Sequence, residues 1–182
     1  LDNFSCGYKG TEHLYRLGHN TVAIIAGALN ASTASMRTKG SIQAMKDLGM
    51  KRDAKTVFEC HYIREEAYSA AKKILSNHSF PRAFFAQDDN MALGVREAIL
   101  EKDLDIPQDI SLIGIDDTPV TALTGIELTT ISQHIRQMGI TGAKTLINKI
   151  EMHNSHMVNQ VIMEPEIIIR KSCGFYSSGY IR

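Results

Sequence analysis

Four short apolar runs, each paired with a segment of helical periodicity, leave this chain few folds to choose from. "TVAIIAG" (21–27), "KTVFEC" (55–60), "RAFFA" (82–86) and "ISLIGI" (110–115) are strand-length and nearly free of alternation. Strands buried on both faces read this way, because neither side of the pleat meets water. Helical patterns stand between and around them. Residues 5–17 place Gly10, Leu14 and Leu17 on one face and stop at Gly18; residues 34–48 align Ile42, Met45 and Leu48 and close at Gly49. Residues 64–77 carry a tight stripe of Ala67, Ala70, Ala71, Ile74 and Leu75, and residues 90–102 follow the third run. Strands alternating with helices predict an α/β fold with a parallel sheet flanked by helices on both faces.

Beyond the fourth run the pattern loosens through "DTPVTALTGIE" (117–127), a loop long enough to carry function, into a short strand "LTTISQ". A helix over 134–152 is expected to show Ile135, Met138, Leu146, Ile147 and Ile150 on one side. "HMVNQVIMEPEIIIRKSCG" reads as two strands broken at Pro165, and 175–182 as a mobile tail.

Charge removes several function classes. Lys plus Arg number 20, as do Asp plus Glu, and the pI is near 7.2, so no global footprint for nucleic acid or anionic lipid exists. No stretch approaches the twenty or so apolar residues of a membrane span. Cys6, Cys60 and Cys173 have no ligand spacing, which favours reduced thiols and a cytoplasmic setting. The chain begins without Met, so its natural N-terminus is expected upstream.

Two strand ends repeat one arrangement. "AFFAQDDNMALGV" runs into Asp88 and Asp89, and "SLIGIDD" into Asp116 and Asp117. In an open parallel sheet ligands bind outside the carboxyl ends of the strands. The loop after the first run brings Ser32, Thr33 and Arg37 to that edge, and Tyr62 follows the second run. Carboxylates, hydroxyls, a guanidinium fork and an aromatic face suit a polyhydroxylated neutral ligand, a sugar; a purine also fits. The plainer readings stand beside this one: Asp88 and Asp89 as helix caps, Asp116 in an ordinary turn, Arg37 solvated, Tyr62 packing. The seven histidines show no metal spacing. GxSxG, GxxxxGK[ST] and GxGxxG are absent, which removes the mechanical parts of hydrolase and nucleotide-binding readings. Magnesium-dependent phosphoryl transfer on the two acidic pairs is a remote alternative.

"DNFSCGYKGTEHLYRLGH", "RTKGSIQAM", "PRAFFAQDDNMALG", "IPQDISLIGIDDTP", "LTTISQHIRQMG" and "EPEIIIRKSCG" together resemble the effector-binding region of LacI/GalR-type transcriptional regulators. The resemblance implies a periplasmic-binding-protein-like core of two lobes, of which residues 1–133 form the C-terminal lobe. The helix over 134–157 would then cross to the N-terminal lobe and 158–174 return. The DNA-binding headpiece and most of the first lobe would be absent. It further implies a regulator, read as a repressor, with no catalysis and no cofactor. Its partners would be a small effector, operator DNA through the absent headpiece and a second copy in a homodimer, and a coregulator protein is admitted.

The resemblance places Arg37, Asp88 and Asp116 at effector contacts, with Thr33 and Tyr62 as further candidates, and Met91, Val95, Ala98, Ile99 and Leu123 at the dimer interface. The family more often has Asn where this chain has Asp88. A carboxylate only accepts, so the ligand should present a donor there. A sugar-binding protein of an ABC transporter is the alternative on the same fold.

Overall fold

The computed structural model describes residues 1–52, 56–151 and 160–174. In chain order the elements are α1 (Asn3–Arg16), β1 (Ala23–Ala26), α2 (Ser32–Asp47), β2 (Val57–Glu59), α3 (Arg64–Leu75), β3 (Ala83–Ala86), α4 (Asp89–Glu101), β4 (Ser111–Asp116), a 3₁₀ turn (Pro119–Ala122), β5 (Thr129–Ser132), α5 (Ile135–Glu151) and β6 (Glu166–Ile168). The strands form one sheet in the order β2-β1-β3-β4-β5-β6. The first five are parallel, and β6 pairs antiparallel with β5. The chain steps from β1 out to β2 and then back past β1 to β3. The crevice between β1 and β3 is therefore the switch point at which such sheets take ligands.

Burial on both faces explains the unbroken apolar runs. Ile24, Phe85 and Ile113 face one side, packed with Cys6, Leu14 and Met45. Ile25, Phe84 and Leu112 face the other, against Ala67, Ala71, Val95 and Ile99. Helices α1 and α2 lie together, and so do α3 and α4. Glycine sets how closely α1 and α2 approach. A Cβ on Gly7 would stand 1.8 Å from the Arg37 carbonyl oxygen, and one on Gly40 would stand 2.0 Å from that of Phe4. The helices meet backbone to backbone, and Ser41 Oγ donates to the Gly7 carbonyl across the seam (3.1 Å).

Three expectations need correction or narrowing. Met91, Val95, Ala98 and Ile99 were expected at a dimer interface, yet they are between 0 and 2 % exposed within the chain. Helix α4 is apolar on more than one face because it covers the sheet and also packs on α3, where Gly94 lies against the Arg64 carbonyl. Those side chains offer a partner no surface; Leu123, 56 % exposed, still does. Pro165 does not divide two strands among the described residues. Residues 160–165 are irregular, and only Glu166–Ile168 pairs. The expected end of the helix over 134–157, the first return residues and the tail at 175–182 fall in 152–159 and 175–182, outside the described residues.

Helix α5 buries nothing. Ile135, Met138, Ile140, Leu146, Ile147 and Ile150 are all exposed, as are Val161 and Ile162 on the returning segment. No helix among the described residues is long and apolar enough to cross a membrane.

Candidate functional site

The two acidic pairs divide their labour. Asp89 is 1 % exposed and accepts from Thr130 Oγ1 (2.6 Å), Thr118 N (2.8 Å) and Thr118 Oγ1 (2.9 Å). It ties the start of α4 to β5 and to the loop after β4, and Gly114 leaves it room, since a Cβ there would stand 2.4 Å from Asp89 Oδ1. Asp117 pairs with Arg170 at 2.7 Å. The second acid of each pair therefore belongs to the framework.

The first acids face the strand ends. Asp88 is a helix cap, as the plainer reading has it: its Oδ1 accepts from Met91 N at 2.6 Å. The capping bond holds Oδ1, and the Asn90 N–H also acts on this carboxylate. Asp116 accepts from Gln133 Nε2. Its φ of 125° is a region that side chains with a Cβ rarely occupy, and such strain collects where a structure holds a group for function.

Arg37 is 4 % exposed, so the solvated-side-chain reading is excluded. It donates from Nε to Asn3 Oδ1 (3.0 Å) and from Nη1 to the Gln87 carbonyl (2.5 Å), linking α1 to the end of β3. Among the described residues it makes no ion pair within 4 Å, yet its charge is felt by both Asp88 and Asp116. Tyr62, at φ 63°, lays its ring on Gly27, where a Cβ would stand 2.1 Å from the ring. Its hydroxyl is 3.2 Å from Thr33 Oγ1, and Thr33 itself is exposed. The five candidates thus lie along the carboxyl ends of β1 to β4. Beside them, Asp116, Ser132, His134 and the first turn of α5 line an open cleft of about 570 Å³.

Two residues were not read from sequence as part of this edge. Gln87 is fully buried; its Oε1 accepts from Gly27 N (3.1 Å) and its Nε2 donates to Thr38 Oγ1 (2.8 Å). It pins the loop after β1 to the end of β3, and the signal available was a polar residue closing an apolar run. Gln133, the partner of Asp116, follows β5 and carried no signal. Among the described residues, no group of three or more His, Cys, Asp or Glu is placed to hold a metal ion.

Electrostatics follow from this geometry. Burial pushes the Asp116 carboxyl up to about 6; Arg37 opposes the rise, Asp89 and Asp88 add to it, and the Gln133 bond opposes it weakly. Asp88 is also raised, first by burial, with the Met91 N–H bond opposing and the charge of Asp89 adding. An acid whose folded value is raised costs stability above that value and costs nothing below its unfolded one. Asp116→Asn should therefore melt higher than the natural protein at pH 8, by roughly 2–4 °C for each kcal/mol relieved, less what solvent in the cleft already screens. The gap should close by about pH 3, below both titrations. Thermal melts across that range check it; an equal or lower melting point at pH 8 contradicts it.

The periplasmic binding protein-like domain family matches residues 11–173. The HTH-type transcriptional repressor PurR of Pasteurella multocida is 37% identical over 170 residues, which are 93% of this chain and 51% of that protein. The chain spans about half the length of the curated relatives it matches. Among solved structures, a LacI family transcriptional regulator from Enterococcus faecium with bound ribose superposes with a TM-score of 0.88 at 25% identity, covering 97% of this chain and 65% of that one. The transcriptional regulator CelR in complex with cellobiose gives 0.84 at 25% identity, covering 94% and 52%. With a six-stranded sheet built around the β1–β3 crevice and charged side chains at its rim, the chain belongs to the periplasmic-binding-protein-like domain family, in the form carried by LacI-type transcriptional regulators.

Proposed function

We propose that this chain is the effector-sensing lobe of a LacI/GalR-type repressor, holding a small polyhydroxylated ligand, a sugar, against a second lobe. The observation that carries the reading is the convergence of Arg37, Asp88 and Asp116 at the strand ends. Tyr62 supplies an apolar face for sugar C–H groups, with its hydroxyl toward Thr33. The ribose and cellobiose bound to the two structural neighbours support this ligand class. The relatives above are regulators, which leaves the transporter alternative without support. Such a sensor needs no cofactor and turns nothing over.

The division at residue 133 belongs to the same proposal. The exposed apolar stripe of α5 and the exposed Val161 and Ile162 are what a second lobe would cover. Effector binding between lobes then shifts the population of closed forms and, through a homodimer, the spacing of two DNA-reading headpieces. Leu123 and the exposed Leu100 are the apolar groups this lobe offers to such a dimer.

The test compares residues 1–182 with the full-length regulator. A thermal-shift screen of mono- and disaccharides on the full-length protein selects a ligand, since binding to the native state raises its stability. Calorimetry in one buffer should then show the shorter chain binding at least about tenfold more weakly, because a ligand against one wall keeps its other face in water. Equal dissociation constants would remove the two-lobed mechanism.

A further inference from the structure

We propose that Gln87 is the positioning residue of the effector edge, the side chain that seats the Tyr62 ring and the Arg37 guanidinium at one fixed spacing; this rests on the effector-lobe reading above. A fully buried amide closing an apolar strand costs desolvation unless its polar atoms are bonded. Here both of them are. Oε1 accepts from Gly27 N (3.1 Å), and Nε2 donates to Thr38 Oγ1 (2.8 Å). The backbone of the same residue donates to the Ile25 carbonyl (2.9 Å) and accepts from Arg37 Nη1 (2.5 Å). Arg37 and Thr38 are consecutive on α2. One residue at the end of β3 therefore grips two neighbouring positions of that helix together with the end of β1.

The bond to Gly27 is the one that reaches Tyr62. A Cβ at Gly27 would stand 2.1, 2.3 and 2.5 Å from three carbons at the hydroxyl end of the Tyr62 ring, so the ring fills the space a side chain would take. The turn does not hold that pose by itself. His61 and Tyr62 have φ of 47° and 63°, two successive left-handed residues that carry a Cβ, a conformation kept only where surrounding contacts impose it. Those contacts form a closed circuit. It runs from Gln87 to Gly27, from Gly27 to Tyr62, from Tyr62 Oη to Thr33 Oγ1 (3.2 Å), along α2 to Thr38 and back to Gln87. Tyr62 and Thr33 are members of the circuit, and Arg37 lies on its α2 segment. A satisfied buried amide at the base of such a network gives it one geometry, and a site with little freedom left to lose binds more tightly. Gln87 is itself fully buried and acts only through the residues it holds.

The test uses the full-length protein labelled with 3-fluorotyrosine, in which Tyr62→Phe identifies the Tyr62 fluorine resonance. Gln87→Met keeps the length of the side chain and removes both of its bonds. Gln87→Glu keeps one oxygen for the Gly27 N–H and a second for the Thr38 hydroxyl. In Gln87→Met the Tyr62 resonance should move toward that of free fluorotyrosine while the other tyrosine resonances stay, and in Gln87→Glu it should not move. Thr38→Val, at a half-buried position, should move it the same way by less, and it carries the test if Gln87→Met does not fold. A Tyr62 resonance unmoved by Gln87→Met and Thr38→Val, or all tyrosine resonances moving together, overturns the proposal. Calorimetry on the same proteins with D-ribose, D-glucose, cellobiose and adenine reads the consequence for binding. The tightest of these should bind Gln87→Met about tenfold or more weakly, and Gln87→Glu within about threefold of the natural protein. Equal dissociation constants in all three proteins overturn the positioning role and leave the effector lobe standing. Failure of every probe to bind the natural protein counts against the effector reading instead, and the resonances then decide the seating of Tyr62 by themselves.

Discussion

Gly7→Ala should lower the melting temperature by roughly 2–12 °C, taking about 1–3 kcal/mol for overpacking and about 2–4 °C per kcal/mol in a chain of this size. The added methyl would stand 1.8 Å from the Arg37 carbonyl oxygen and 2.9 Å from Ser41 N. Both are backbone atoms, so no rotamer change relieves the contact. Helix α1 must back away from α2, and two links go with it: the bond from Ser41 Oγ to the Gly7 carbonyl and the Asn3 contact that steadies Arg37. Gly142→Ala is the control. It lies inside α5 with nothing within 4 Å of an added Cβ, so it should stabilise by up to about 1 kcal/mol through helix propensity alone. Thermal melts of the two variants read opposite signs from one chemical change. A Gly7→Ala melting point within about 2 °C of the natural protein would show that the α1–α2 seam yields easily, since that is the scale of less than 1 kcal/mol.

The second large effect separates two residues that the family resemblance places together as effector contacts. Asp116→Ala in the full-length regulator should weaken effector binding roughly ten- to a hundredfold, as for the loss of a charge-assisted bond, while leaving the fold at least as stable. Its side chain makes one bond, to Gln133, and its charge is held at a cost. Arg37→Ala should lose effector and fold together. Removing a guanidinium that is 4 % exposed strands the Gln87 carbonyl and leaves Asp88 and Asp116 without the cation that acts on both. Deleting a buried charged donor costs about 1.5–3 kcal/mol for each hydrogen bond it made. Effector titrations paired with chemical denaturation distinguish the two. Equal loss of stability in both variants would place Asp116 in the framework, and an unchanged effector dose-response in Asp116→Ala would remove it from the site.

The order and kind of the first five strands and of the helices between them were legible along the chain. A strand covered on both faces must be apolar at every position, and a helix lying on a sheet must repeat its apolar residues every three or four. Those two periods differ enough to be read directly from "TVAIIAG" or from the alanine stripe of α3. The switch-point edge was legible for the same reason: once strands alternate with helices, their carboxyl ends share one side of the sheet, and Arg37, Asp88, Asp116 and Tyr62 were placed there by topology.

The division of roles was not legible. Asp88 and Asp89 are adjacent and chemically identical, as are Asp116 and Asp117. Which carboxylate meets hydroxyls inside and which meets the cleft depends on Thr118, Thr130 and Arg170, 29 to 53 residues from the acid each one binds. The apolar excess of α4 misled in the same way. A stripe of Met91, Val95, Ala98 and Ile99 records that two faces are dry, but not whether a sheet and a neighbouring helix or a second chain keeps them so. Local periodicity reports how much of a residue is buried, because burial acts on each side chain separately. The partner that buries it is a long-range pairing, and it comes into being only when the strands are in register and the helices have closed over them.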